Sequence, residues 1–128
     1  MKARNKNFIM VQHEIMNTEA WLFIARTGAL CPLFEIWRRH NGRNNGRISY
    51  SHREAVRSFR CSPKRVVRWF GELQEAGFIV AMQRGSFHQK TGALVARATT
   101  GRLTMESYDG NAPTRDYLNF AGAEAQDG

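Results

Sequence analysis

Apolar residues between positions 62 and 77 recur at the spacing of a helix. Val66, Phe70 and Leu73 are four and three positions apart, so a helix would carry all three on one face. The residue at position 77 is Gly77, which tolerates the left-handed conformation common after a helix end. The pattern predicts a helix over residues 63–76 whose apolar face packs against a core.

Two serine signals predict where this helix and a shorter one before it begin. Ser51 and Glu54 have the S-x-x-E spacing of a capping box, in which each side chain satisfies a backbone amide at the helix start. Ser62 can cap the second helix, with Pro63 at the first helical position, where its missing N–H costs nothing. Two short helices joined by a tight turn indicate a helix-turn-helix unit.

The N-terminal third predicts two more helices. Residues 1–17 form an arm and an extended lead-in, and Asn17 or Thr18 can cap a helix that runs from residue 19 to the break at Gly28. A second helix would span residues 29–40, provided that Pro32 lies in its first turn.

The remaining pattern predicts a small amount of β structure. A brief strand is expected over 48–50, and strand-forming residues over 78–83 and 94–104 predict a hairpin. Residues 84–93 would be its long basic tip. The expected fold class is therefore mainly α with a small β-hairpin, an α+β arrangement.

The distribution of charge indicates a function most clearly between positions 38 and 68, where the only acid is Glu54. The basic residues there are Arg38, Arg39, Arg43, Arg47, Arg53, Arg57, Arg60, Lys64, Arg65 and Arg68. The whole chain has a formal net charge of +8. A basic helix-turn-helix and a strong positive charge both predict a polyanionic partner, and double-stranded DNA is the one that the two-helix unit fits.

The order of predicted elements resembles the winged helix-turn-helix fold, with residues 84–93 as the wing. This resemblance covers residues 19–104, and the domain is predicted to span residues 18–104. Residues 105–128 carry an excess of acids and are expected to be a solvated, partly disordered tail, the alternative being that these acids shade the basic face.

A narrower resemblance is to small bacterial helix-turn-helix proteins of phages, plasmids and integrated elements. Four stretches carry it: Asn41 to Ile48, which reads NGRNNGRI, Gly77 to Ile79, Arg84 to Phe87, and Ala98 to Thr104. This narrower resemblance transfers no settled function. The location is predicted separately: without a long apolar run or a signal-peptide start the chain is expected to be cytoplasmic, and a bacterial DNA-binding protein would be associated with the nucleoid.

Within the helix predicted over 63–76, inward packing of the apolar row turns the basic residues outward. Arg65 and Arg68 are the candidate base contacts, because a guanidinium can donate two hydrogen bonds to O6 and N7 of guanine. The alternative is that Arg68 and Glu72 form a surface ion pair at i,i+4 and read no base.

A second set of residues is expected to contact the DNA backbone. Ser62 and Lys64 would bind a phosphate at the helix start. The other candidates lie in the first helix, the preceding loop and the wing: Arg43, Arg47, Arg53, Arg84, His88 and Lys90. The alternative for the loop and wing residues is solvated charge.

Other side chains that could carry chemistry favour structural roles. Cys31 and Cys61 have no metal-ligand spacing and are expected to be buried or half-buried thiols. Trp21, Trp37 and Trp69 are expected in the core, the alternatives being a dimer interface for the first two and base stacking for Trp69. No catalytic constellation, metal site or cofactor motif is recognisable, so no enzymatic activity is expected.

The sequence thus predicts a sequence-specific double-stranded DNA-binding protein, most consistent with a transcriptional regulator of a bacterial mobile element. Two alternatives stay open: a DNA-binding protein of phage or plasmid replication initiation, and a winged-helix adaptor that binds protein. A homodimer through helices in 19–40 would suit palindromic half-sites. No membrane role is expected, since no long apolar run is present.

Overall fold

A computed structural model describes residues 7–83 and 100–121 of the 128-residue chain. The described elements are, in order, α1 (His13–Met16), α2 (Glu19–Thr27), α3 (Leu30–Arg38), β1 (Ile48–Ser49), α4 (His52–Phe59), α5 (Pro63–Ala76), β2 (Ile79–Gln83), β3 (Thr100–Leu103) and a 3₁₀ turn (Asp116–Asn119). The described part is therefore mixed α+β, with five α-helices and a small antiparallel sheet.

The helix boundaries predicted from capping residues are confirmed. Ser51 and Glu54 make both bonds of the capping box at α4. Ser62 caps α5, Pro63 is in its first turn, and Gly77 follows its end with a φ of 89°. These boundaries follow from local chemistry, since each cap satisfies backbone groups that the helix itself leaves unpaired.

The two early helices are also confirmed, with small shifts at their ends. Thr18 is the cap of α2, accepting a hydrogen bond from the Trp21 amide. Gly28 ends α2 in the left-handed conformation. The next helix, α3, is shorter than the predicted 29–40, and Pro32 lies in its first turn as expected.

The sheet has three antiparallel strands in the order β1, β3, β2. Ile48 pairs with Gly101 at one edge, and Ile79 pairs with Leu103 at the other. The predicted hairpin is therefore seen at its base, in the pairing of β2 with β3. Its predicted tip, residues 84–93, lies outside the described residues. Helices followed by this small sheet are consistent with a winged-helix-like layout.

The core is organised around α5, which contacts α2, α3, α4 and β2. The predicted apolar row of Val66, Phe70 and Leu73 is buried. Trp69 is buried beside it, and its Nε1 donates a hydrogen bond to the carbonyl oxygen of Thr27 at 3.1 Å. The expectation that Trp69 belongs to the core is confirmed.

Two expectations about smaller features are wrong. Cys31 is exposed, because α3 buries the face that carries Leu33, Ile36 and Trp37, and Cys31 lies on another side. The lead-in over residues 8–16 is not extended throughout, since it ends in the short helix α1, whose Ile15 is buried. Cys61 is half-buried, as expected.

The segment from 105 to 121, expected to be solvated tail, instead packs on the domain. Tyr117 is buried and stacks on Phe78, with ring centroids 5.1 Å apart. Phe120 lies 5.0 Å from the ring of Phe23. Apolar contacts of aromatic rings therefore hold this segment despite its acidic composition. Most of the stretch 121–128, expected to be disordered, lies outside the described residues.

This packing depends on the absence of a side chain at Gly77. A Cβ built there would lie 2.7 Å from the carbonyl carbon of Asp116 and 2.7 Å from the amide nitrogen of Tyr117. Gly77 thus serves two purposes, because it ends α5 with a positive φ and also lets a second backbone approach closely.

We expect Gly77→Ala to lower the free energy of unfolding by more than about 1 kcal/mol, since both the backbone conformation and the contact with residues 116–117 oppose a methyl group. Gly71→Ala, within the same helix, is the matched control. A Cβ at Gly71 meets nothing within 4 Å, so that variant should gain roughly 0.5–1 kcal/mol. Urea unfolding of both variants measures the difference; equal effects would contradict this account of Gly77.

Candidate nucleic-acid interface

The exposed face of α5 carries basic side chains near its N-terminal end. Lys64, Arg65 and Arg68 are all exposed, and the buried face of the same helix fixes their direction. Ser62, just before them, is exposed too, and its hydroxyl oxygen accepts a hydrogen bond from the Arg65 amide at 3.1 Å. The structure therefore places four predicted site residues on one end of one helix.

The two candidate base contacts have different surroundings. The guanidinium of Arg65 lies 6.0 Å from the ring centroid of Trp69, within the range of a cation–π contact. The Arg68 side chain is 57% exposed, and its Nε lies 3.9 Å from Oε2 of Glu72. Both guanidinium groups thus extend from a rigid, packed helix, while their ends face solvent.

The preceding helix, α4, adds further exposed arginines. Arg53, a predicted backbone contact, is exposed in its first turn. Arg57 and Arg60 are exposed as well, although the sequence did not single them out as site residues. Since α4 packs against α5, Arg53 belongs to the same two-helix unit as the face of α5. Arg60 ends α4 with a φ of 52°, a conformation that few residues other than glycine adopt.

The loop over residues 41–47 is held by a buried asparagine. Asn45 accepts a hydrogen bond from the Leu103 amide at 2.7 Å, and its Nδ2 donates to the carbonyl oxygens of Leu103, Glu106 and Ser107. This side chain therefore fixes the loop to the end of β3. Asn45 therefore has a structural role, because leaving its buried hydrogen-bond partners unpaired would cost free energy.

Arg43 and Arg47 project from this anchored loop and are exposed. The Arg47 Nη2 donates a hydrogen bond to the carbonyl oxygen of Arg43 at 3.2 Å, so the two residues are coupled. Among the described residues, no hydrogen bond or ion pair joins them to the side chains of α5. They therefore form a second cationic group, attached to the sheet and not to the two-helix unit.

Arg39, one of the basic residues in the stretch from 38 to 68, is committed to internal contacts. It donates hydrogen bonds to Glu35, to Glu54 and to the carbonyl oxygen of Ser49. Its guanidinium also lies 4.4 Å from the ring centroid of Tyr50. The cation thus joins α3, β1 and the cap of α4. The signal in the sequence was the acid four positions before it, Glu35.

These contacts shift the pKa values of the groups involved. The hydrogen bond from the Ser51 amide lowers the pKa of Glu54, and Arg39 lowers it further. Burial works against the charge of Arg39, but its hydrogen bonds to Glu35 and Glu54 raise its pKa overall. Burial alone lowers the pKa of His52, whose ring lies edge-on to Phe70. Arg39 and Glu54 thus link α3 to the start of α4.

The wing candidates Arg84, His88 and Lys90 lie outside the described residues. Within residues 7–83 and 100–121, no group of three or more His, Cys, Asp or Glu side chains could hold a metal ion. In the same ranges, no helix has the length and apolar character needed to cross a bilayer.

The candidate interface has two parts among the described residues. One is the exposed face of α5 together with α4, and the other is the loop 41–47 beside the sheet.

Asn45→Ala should lower the free energy of unfolding by at least about 2 kcal/mol, because it leaves the Leu103 amide and several carbonyl groups without their partner. Asn41→Ala is the control in the same loop. The side-chain Oδ1 of Asn41 accepts hydrogen bonds from the amides of Arg43 and Asn44, but the residue is exposed, so water can replace Oδ1 and the loss should stay below about 1 kcal/mol. Chemical denaturation of both proteins measures the contrast. Similar losses for the two variants would count against a special role for Asn45.

Comparisons with known proteins assign no function to this interface. No protein-family model, curated protein or solved structure matches the chain. What supports a function is therefore the arrangement of exposed charge on α5 and α4, together with the fold that orients it.

Proposed function

We propose that this protein binds double-stranded DNA in a sequence-specific manner through α5, as a winged helix-turn-helix protein. The observation that carries the proposal is the division of α5 into a fully buried face and an exposed face with Lys64, Arg65 and Arg68. A helix that is packed on one side and cationic on the other fits the major groove of B-DNA, which is wide enough to admit it.

The distribution of charge along α5 supports one orientation in the groove. Its cations lie in the first half of the helix, whereas Glu72 and Glu75 lie in the second half. The far end of α5 is also covered, because Asp116 and Tyr117 pack against Gly77. Helix-turn-helix proteins contact base edges with the N-terminal residues of the recognition helix, and here that end is basic and its cations are exposed.

Each candidate residue then has a distinct role. Arg65 and Arg68 would read guanine edges, and Ser62 with Lys64 would bind a phosphate beside the helix start. The remaining proposed backbone contacts are Arg53 on α4, Arg43 and Arg47 on the anchored loop, and Arg84, His88 and Lys90 in the proposed wing. Phosphate contacts of this kind supply affinity without reading sequence.

The biological role within this proposal is transcriptional regulation in a bacterial mobile element, supported by the resemblance of four stretches of the sequence to small proteins of such elements. A homodimer through α2 and α3 would place two recognition helices on a palindromic site. Leu22 on α2 and Phe34 on α3 are 45% and 37% exposed, which supports a contact there.

Selection from a random pool of duplexes should enrich a short motif, and fluorescence anisotropy on that motif tests the two arginines. Arg65→Ala and Arg68→Ala should each weaken binding to the motif by about 5- to 150-fold, because a bidentate arginine–guanine contact contributes about 1–3 kcal/mol of discrimination. Lys64→Ala should weaken binding to all duplexes alike and reduce the log–log salt slope by about 0.9.

Arg115→Asn is the charge-matched control for these variants. Arg115 is exposed, and it precedes Asp116, which packs at the far end of α5, about 18 Å along the helix from Arg65. Asparagine also tolerates the positive φ of 53° at this position. This variant should bind the motif almost as tightly as the wild-type protein. If both α5 variants bound the motif with wild-type affinity, α5 would not be the recognition helix.

A further inference from the structure

The geometry points to Glu72 as a positioning residue that determines specificity: its carboxylate orients the Arg68 guanidinium so that the two terminal nitrogens face the base. This inference rests on the proposed DNA-binding function. It replaces the simpler interpretation of Arg68 and Glu72 as an inert surface pair.

The two side chains differ greatly in exposure. The Arg68 side chain is 57% exposed, whereas that of Glu72 is 15% exposed. An ordinary surface pair would leave both partners in water and mobile, and would contribute little. Here the carboxylate is held against the packed helix, and the cation extends past it into solvent. The acid is therefore the fixed member of the pair and the arginine the movable one.

The Glu72 carboxylate can also accept more hydrogen bonds than the described residues donate to it. Among the described residues, nothing donates a hydrogen bond to its buried Oε1. Its Oε2 lies 3.9 Å from Arg68 Nε, which is about 1 Å longer than a charge-assisted hydrogen bond. A buried acceptor left unpaired in this way is costly and calls for an explanation. A small movement of Arg68 toward the acid would bring its Nε within hydrogen-bond distance of Oε2.

The atom that Glu72 approaches matters for what Arg68 can do. A guanidinium presents Nε on one side and the terminal Nη1 and Nη2 at its end, and the bidentate contact to guanine can use the terminal pair. Glu72 approaches Nε, and within residues 7–83 and 100–121 no hydrogen bond or ion pair is made by Nη1 or Nη2 of Arg68. Holding one side of the guanidinium also reduces the number of orientations that must be lost on binding.

The test is selection from a random duplex pool with four full-length proteins: wild type, Arg68→Ala, Glu72→Gln and the double variant. Glu72→Gln keeps the shape of the side chain and removes the charge. We expect Arg68→Ala to lose the base preference at one position of the motif. Glu72→Gln should relax the same position by about 5-fold or more while the other positions keep their preference.

Because one negative charge is removed, Glu72→Gln should bind unselected duplexes at least as tightly as wild type, which loss of folding would not produce. The double variant should discriminate no worse than Arg68→Ala alone, since Glu72 acts through Arg68. Glu75→Gln is the control: it makes the same charge change on the same helix, its side chain is exposed, and its motif should match that of wild type.

Three results would overturn the inference. An unchanged motif for Glu72→Gln would remove its role in specificity while leaving the DNA-binding proposal intact. An equal loss of affinity for all sequences would assign Glu72 to stability. Absence of any enriched motif for the wild-type protein would overturn the proposed function, and this inference with it.

Discussion

Burial of one face of α5 is the constraint on which the other features of this protein depend. The helix contacts α2, α3, α4 and β2, and a hydrogen bond from Trp69 to the carbonyl oxygen of Thr27 fixes its rotation against α2. Since a helix cannot turn its apolar row away from the core without a large loss of hydrophobic free energy, the buried residues of α5 set the direction of Arg65 and Arg68. The position of the proposed interface therefore follows from core packing, and the same packing fixes the helix that carries its side chains.

Two anchors outside the two-helix unit hold the rest of the framework. Asn45 joins the basic loop to β3 and to the segment that follows it, and Gly77 lets residues 116–117 close over the end of α5. The same C-terminal segment reaches α3, where the Trp37 Nε1 donates a hydrogen bond to Glu106 at 2.8 Å. Contacts of this kind, between residues far apart in the chain, join the five α-helices and the small sheet of the described residues into one support for a charged face.

Local features of this fold could be predicted from the sequence, and features that depend on distant contacts could not. Ser51, Ser62 and Gly77 mark helix ends through backbone groups a few residues away, so their meaning is contained in the sequence nearby. The role of Asn45 could not be predicted, because asparagine before glycine is typical of an exposed turn and nothing in the neighbouring sequence shows that the side chain is buried. Tyr117 was equally hidden among acids, since one aromatic residue makes no periodic pattern. At the candidate site, the outward face of α5 was predictable from its apolar row. For Arg39 the sequence indicates only the pair with Glu35, four positions before it, whereas the contacts with Ser49 and Glu54 depend on the fold.

The central claim is that DNA meets the N-terminal half of α5, and a heteronuclear NMR titration tests it most directly. The amide resonances of the ¹⁵N-labelled protein would be followed while a selected duplex is added at constant salt. The account predicts the largest shifts over residues 62–72 and in the first turn of α4, with the segment 105–120 almost unaffected. Shifts centred on the exposed side of α2 and α3, or on residues 105–120, would contradict it, as would a spectrum that does not change.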